Sequence, residues 1–178
     1  MNTRKEILAI LGSTRAASSN LNLVKAIQEL AKDVFDITIY NGIGQLPQFN
    51  PDMDNAGVPA LVTDFRNQIR QANGVLISTP EYAMGVPGAL KNALDWTVSS
   101  GEFSHKPVAL LTASTSGLKA HDALLATLQV IEAKMTEETA MIISFIKTKV
   151  NNEAKITDAS TLQQVQALLN AFGQLMQG

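Results

Sequence analysis

Short apolar runs alternate with longer stretches of helical period along almost the whole chain, and this alternation restricts the fold more than any other feature. Glu6 to Leu11 (Glu-Ile-Leu-Ala-Ile-Leu) is a nearly continuous apolar run, the pattern of a strand covered on both faces. From Ser18 to about Asp33, Leu23, Ala26, Ile27, Leu30 and Ala31 recur at helical spacing. Phe35 to Tyr40 alternates as a second strand. A stretch with Gly42, Gly44, Pro47 and Pro51 then reads as a long surface loop. Leu61, Val62, Phe65 and Ile69 define a helix stopping near Asn73-Gly74. Val75 to Ser78 is the third strand, and a Pro- and Gly-rich loop leads to a helix from about Pro87 to Val98. Pro107 to Thr112 is the fourth strand, followed by a helix carrying Ala123, Leu124, Leu128 and Ile131. Ala140 to Ile146 is the fifth strand, and the last helix has Leu162, Val165, Leu168, Leu169 and Phe172 on one face. Strands alternating with helices predict a parallel sheet with helices on both sides. Right-handed crossovers make it doubly wound, with ligands at the carboxyl ends of the strands.

Composition excludes several function classes. The chain has 178 residues, the length of one domain, and neither a repeat nor a low-complexity tract marks a second, so residues 1–178 are expected to form a single unit. A formal net charge of −2 gives no electrostatic reason to expect nucleic acid or an anionic membrane as partner. Met1-Asn2-Thr3-Arg4-Lys5-Glu6 runs straight into the first strand without the apolar stretch of an export signal, and no later run is long enough to span a bilayer. A cytoplasmic location is the expectation. There are no cysteines, so redox chemistry here requires a bound cofactor.

In a doubly wound sheet the informative loops follow strands one, three and four. The first reads Gly12-Ser13-Thr14-Arg15-Ala16-Ala17-Ser18-Ser19-Asn20-Leu21, with no acidic residue from Gly12 to Val24. Backbone N–H groups at a helix start, aided by the helix dipole, favour an anion, and Arg15 can add a charge-assisted contact to phosphate. The same residues also suit a plainer arrangement, in which Ser18 or Ser19 caps the helix and Arg15 is solvated. Only Gly12 of a Gly-x-Gly-x-x-Gly fingerprint is present, and the Gly-Lys-Ser/Thr ending of a P-loop is missing. The second loop, Thr79-Pro80-Glu81-Tyr82-Ala83-Met84-Gly85-Val86-Pro87-Gly88, pairs stiffening prolines with glycines that admit a flat ligand close to backbone. It fits an ordinary turn before a helix opened by Pro87 as well. The third, Thr112-Ala113-Ser114-Thr115-Ser116-Gly117, ends a strand in small polar residues.

Taken together, Gly12-Ser13-Thr14-Arg15, Ser18-x-Asn20, and Pro80-Glu81-Tyr82 through Gly85-Val86-Pro87-Gly88-x-Leu90-Lys91-Asn92-Ala93-x-Asp95-Trp96 resemble the NADPH-dependent FMN reductase family, which includes chromate, quinone and azo-dye reductases. The resemblance spans almost the whole chain and is most specific from Pro80 to Trp96. It implies a flavodoxin-like, three-layer α/β/α fold with a five-stranded parallel sheet. It further implies FMN as cofactor, and NADPH or NADH as co-substrate. Ser13, Arg15, Ser18, Ser19, Asn20 and Leu21 would surround the FMN phosphate. Pro80, Glu81, Tyr82, Ala83 and Met84 would line the flavin ring, largely through backbone, with Ser114 beside it. Hydride would pass from nicotinamide to flavin N5 and then, in ping-pong order, to a quinone, azo compound, free flavin or metal oxyanion. A homodimer or homotetramer is the corresponding expectation. Ser116-Gly117-Leu118-Lys119 departs from the Gly-Gly pair and arginine typical of the family, and Met84 stands where relatives often carry a histidine, polar or aromatic residue.

A flavin-binding electron carrier or redox sensor is the alternative, although Arg15 and the mild net charge fit it less well. His105 and His121 are the only histidines and show no ligand spacing with carboxylates, so no metal site is expected. Trp96 reads as a core or subunit-packing residue, and Glu137-Glu138 as a solvated turn. No side chain stands out as an indispensable general acid or base.

Overall fold

The five strand-like runs form one parallel sheet, whose inner strands are too hydrophobic on both sides to leave either face in water, while the edge strand with Asp36 and Thr38 alternates. The computed structural model describes residues 4–177; Met1, Asn2 and Thr3 of the N-terminal run lie outside them. Its strands are β1 (Lys5–Leu11), β2 (Phe35–Tyr40), β3 (Gly74–Thr79), β4 (Val108–Ser114) and β5 (Ala140–Ser144), in the order β2-β1-β3-β4-β5. All four pairings are parallel, with Ile10 beside Tyr40 on one side and Ile77 on the other. The helices are α1 (Ser19–Leu30), α2 (Pro51–Ala56), α3 (Ala60–Gln71), α4 (Gly88–Asp95), α5 (Leu118–Val130), α6 (Ile146–Lys149) and α7 (Ala159–Leu175).

Alternate residues of each strand feed two separate cores. Leu8, Ile10, Val75, Ile77 and Leu110 pack with Val62, Phe65 and Ile69 of α3, Leu90 and Leu94 of α4, and Leu124 and Leu128 of α5. Ile7, Ala9, Leu11, Leu76 and Leu111 pack with Leu23, Val24 and Ile27 of α1 and Val165, Leu168 and Phe172 of α7. This is the three-layer α/β/α arrangement. The strand order reverses between β1 and β3, so their connections leave toward opposite faces and open a crevice at the carboxyl edge.

Local structure departs from the sequence pattern in four places. The presumed loop after β2 contains a 3₁₀ turn at Ile43–Gln45 and then α2, which starts because Asn50 Oδ1 accepts the Asp52 N–H at 3.0 Å and Pro51 follows at the first helical position. Gly74 does not stop a helix. It opens β3, where a Cβ would stand 2.7 Å from the Phe172 ring. The fifth strand ends at Ser144, since Phe145 turns left-handed (φ 56°) and the chain enters α6. Helix α4 ends at Asp95 rather than Val98. The carbonyl of Trp96, just beyond, accepts from the buried Arg66 guanidinium, which also pairs with Asp54 at 2.6 Å.

The Trp96 indole is fully buried and donates to the Pro47 carbonyl at 2.8 Å. Asn92 reaches the same loop, donating to Pro47 O and accepting from Phe49 N–H. Lys91 pairs instead with Asp95 one turn on. The Asn92 and Trp96 side chains therefore hold residues 47–49 against α4.

Gly12, one residue past β1, marks the tightest strand contact. Its N–H donates to Ser78 O at 2.9 Å, and a Cβ there would lie 2.0 Å from Thr79 Oγ1 and 2.6 Å from Thr79 Cβ. Thr79 is β-branched and fully buried, so it has nowhere to swing. Gly12→Ala is expected to destabilise the protein by about 1–3 kcal/mol through overpacking. Urea unfolding checks this, and an unchanged midpoint would show that the β1 and β3 ends can separate at no cost.

Candidate functional site

At the carboxyl edge of the sheet lies a hollow of about 380 Å³, within the size range of small-molecule sites. The loop after β1 contributes Ser13, Arg15, Ala17, Ser18, Ser19 and Asn20. The loop after β3 contributes Pro80, Glu81 and Tyr82, and the end of β4 gives Ala113, Ser114 and Thr115. The wall beyond β4 is Phe145, Ile146, Lys147 and Thr148. Another hollow, at the opposite edge, is lined by Glu6, Asp36, Thr38, Gln68 and Gln71 among others. It carries carboxylates and no cation, the reverse of what an anion requires.

Each loop is held by identifiable bonds. Ser18 caps α1, its hydroxyl accepting the Asn20 N–H at 3.2 Å, and the first turn of α1 has no acidic residue. Asn20 is buried, and both ends of its amide are committed. Nδ2 donates to Ala113 O at 2.9 Å and Oδ1 accepts from Ser78 Oγ at 2.9 Å. The side chain therefore ties α1 to the ends of β3 and β4. Ser13 Oγ lies 3.0 Å from the Tyr82 hydroxyl and accepts the Arg15 N–H at 3.3 Å, joining the first two loops across the hollow.

Glu81 would place a carboxylate beside an anion, but its side chain is engaged elsewhere. Its two oxygens accept the N–H groups of Gly117 (3.4 Å) and Ala120 (2.9 Å). Helix α5 has no cap from its own preceding residue, so Glu81 supplies one from a distant loop, where a negative charge meets the positive end of the helix. The next residues form a tight turn closed by paired bonds between Tyr82 and Gly85, with Ala83 (φ 48°) and Met84 (φ 61°) both left-handed. Behind β4, Thr112 Oγ1 and His121 Nδ1 are 2.9 Å apart. Burial holds the His121 imidazole below the ordinary histidine range, against a smaller upward pull from Asp122.

Of the residues expected to bind the cofactor, Ser13, Arg15, Ser18, Ser19, Asn20, Pro80, Glu81, Tyr82 and Ser114 line the one hollow. Leu21 does not. It packs against the core on the α1 side and borders, with Tyr40 and Asn41, an adjoining depression that shares Ser13 and Arg15 with the hollow. Ala83 and Met84 are also outside the lining, at the tip of the turn, where Met84 is 71% exposed.

Residues 6–147 match the family pattern described as NADPH-dependent FMN reductase. The chain belongs to that family. A quinone reductase of Escherichia coli K12 is 30% identical, with 99% of this chain and 98% of the relative aligned. An NAD(P)H-dependent FMN reductase of Pseudomonas aeruginosa is 31% identical over 94% of this chain and 92% of its own. Among solved structures, a flavoenzyme NAD(P)H:(acceptor) oxidoreductase from Paracoccus denitrificans superposes with a TM-score of 0.80 at 26% identity, covering 97% of each chain. Membership makes the chain an oxidoreductase with FMN as its flavin and NAD(P)H as its co-substrate.

The donor set fits FMN. A phosphate dianion requires cations and N–H or O–H donors without competing carboxylates, and the hollow offers Arg15, Lys147 and several hydroxyls while the charge of Glu81 is compensated by α5. The β5 wall, Phe145 to Thr148, was not among the anticipated residues. It is motif-free in sequence, but a parallel sheet brings every strand's carboxyl end to one edge, and the end of β5 lies beside that of β4.

Two outcomes follow. Asn20→Ala leaves Ala113 O and Ser78 Oγ without partners in a buried place, and should cost about 1–3 kcal/mol. A chemical melt measures it, and full stability would show that water replaces the amide. Burial makes His121 take up a proton less readily in the fold than in an unfolded chain, where histidine titrates near about pH 6.5. Its folded state is therefore disfavoured as pH falls. The stability advantage of wild type over His121→Gln should shrink between about pH 7 and pH 5, by thermal melts at each pH. A constant difference would mean that His121 titrates alike in both states.

Proposed function

We propose that this chain is an FMN-containing NAD(P)H oxidoreductase acting on quinone-like acceptors, with the two substrates using one open side of the site in turn. The observation that carries this reading is the single hollow that joins a carboxylate-free, Ser- and Arg-bearing helix start to the turn after β3. FMN, when bound, supplies the two-electron chemistry that links nicotinamide oxidation to acceptor reduction.

The chain's own residues bind and orient. The α1 start, with Ser13, Ser18 and Arg15, receives the phosphate. The Pro80–Tyr82 segment and Ser114 border the ring, and the exposed Tyr82–Gly85 turn with Met84 at its tip forms the rim that substrates meet. We assign no side chain the role of obligatory general acid or base; hydrogen bonds to the ring edge and positioning of the reacting partners are the protein's contribution. Quinone as acceptor draws support from relatives such as the Escherichia coli quinone reductase, and ping-pong order is part of the proposal. Residues 1–178 acting as one domain, assembled as a homodimer or homotetramer, completes the proposal.

Reconstitution with mixed flavins, followed by denaturation and chromatography, is expected to return FMN rather than FAD. The FMN form should be bleached anaerobically by NADPH and give parallel double-reciprocal lines with a quinone. Intersecting lines would overturn the sequential use of one side, and colour without bleaching would favour an electron carrier. Arg15→Ala should weaken FMN binding about 10- to 100-fold with the fold intact, as expected for loss of a hydrogen bond to a charged group. Unchanged affinity in a fluorescence titration would make Arg15 a solvated surface residue.

A further inference from the structure

The hollow contains two cations, and they arrive on different loops: Arg15 follows β1, and Lys147 lies in α6 after β5. Neither makes an ion pair among the described residues, in contrast to Arg66 and Arg70, which are both paired with carboxylates. The one carboxylate in the lining, Glu81, is compensated by the N–H groups of α5. The lining thus holds two positive charges with no ion-pair partner among the described residues and one carboxylate whose oxygens are turned to the N–H groups of α5.

Lys147 is carried on a fixed segment. Phe145 breaks the strand with a left-handed backbone, an unfavourable conformation for an aromatic residue, and its N–H donates to Thr115 O at 3.3 Å. Thr148 N–H and Oγ1–H both donate to Phe145 O, at 2.9 Å each, while Ile146 is buried beneath. Asn22 Nδ2 of α1 donates to Asn151 O at 3.2 Å, which ties the chain just past α6 to the helix whose N-terminus borders the hollow. A turn held from both sides against α1 and β4 presents Lys147 to the same space as Ser18 and Arg15.

We propose that Lys147 is a second cationic ligand of the FMN phosphate, closing from the β5 side what the β1 loop begins. This rests on the FMN reading above. A lysine suits the place because a compact ammonium on a long stem neutralises charge without the fixed fork of a guanidinium.

The test compares FMN with riboflavin, which has the same ring and no phosphate. Lys147→Met keeps the stem and removes the charge. It should lower FMN affinity about tenfold and leave riboflavin affinity unchanged. Lys147→Arg should stay near wild type for both, and FMN binding by Lys147→Met should respond less to added salt than that of wild type. Equal loss for the two flavins, or no loss for either, overturns the proposal. A change confined to KM for NADPH, with KM for NADH and FMN affinity unaltered, also overturns it by assigning Lys147 to the nicotinamide's extra phosphate. The underlying reading fails separately: wild type would then hold riboflavin as tightly as FMN, whatever residue stands at 147.

Discussion

The site depends on one buried amide. Asn20 sits where three segments distant in sequence converge, and its side chain donates to the end of β4 while accepting from the end of β3. A reversed strand order opens a crevice at this edge, where the ends of β1 and β3 are joined by the Gly12 N–H to Ser78 O bond. Asn20 adds a tie from the helix to β3 and β4, and the close approach of Gly12 to Thr79 leaves no room for a side chain between the strand ends. A hydrogen bond contributes only about 1 kcal/mol net, but leaving its buried partners unsatisfied costs more, so the arrangement is defended by what its loss would expose. The pairing also fixes the α1 start that faces the hollow.

Charge is distributed by the same economy of commitments. The chain is slightly acidic as a whole, yet the lining carries two unpaired cations and an acid whose charge is directed into α5. Glu81 thereby stabilises a helix without opposing an anion at the site. The adjacent turn needs Ala83 and Met84 in the left-handed region, at about 1–2 kcal/mol per residue that glycine would not incur. The paired Tyr82–Gly85 bonds hold it there, between Pro80 and Pro87 and beside the anchored Glu81 and Tyr82 side chains. Strain of this kind at the border of a ligand site is consistent with a turn shaped for binding rather than for stability.

Strands and long helices were legible in the sequence because burial on both faces leaves an unbroken apolar run, and burial on one face leaves a helical period. Loops were less so. Gly74 reads as a helix stop, since glycine usually signals a left-handed turn, but the decisive fact is the ring of Phe172, a residue from the far end of the chain. Phe145 continues a perfectly good strand pattern and still breaks it, because Ile146 must turn under the sheet to reach the α1 and α7 core. The first and third loops were recognisable by their small polar residues, whereas Lys147 belongs to no motif and becomes visible only when β5 is placed beside β4. Ser18 caps α1, the plainer of its two readings, and its place in the lining of the hollow leaves the phosphate-binding reading compatible with that cap.

These commitments divide the site into parts that can vary and parts that cannot. Asn20, Glu81 and Ser13 each bond to another element, so substituting any of them disturbs two places at once. Met84 is exposed at the rim, and its side chain makes no hydrogen bond among the described residues, so its identity is free of the fold provided the backbone keeps its left-handed turn. An amide side chain tolerates that conformation better than a β-branched one, because a short polar group can bond locally and branching crowds the backbone. The range of acceptors open to this scaffold is therefore bounded first by backbone geometry at positions 83 and 84, and only then by the chemistry of the side chains placed there.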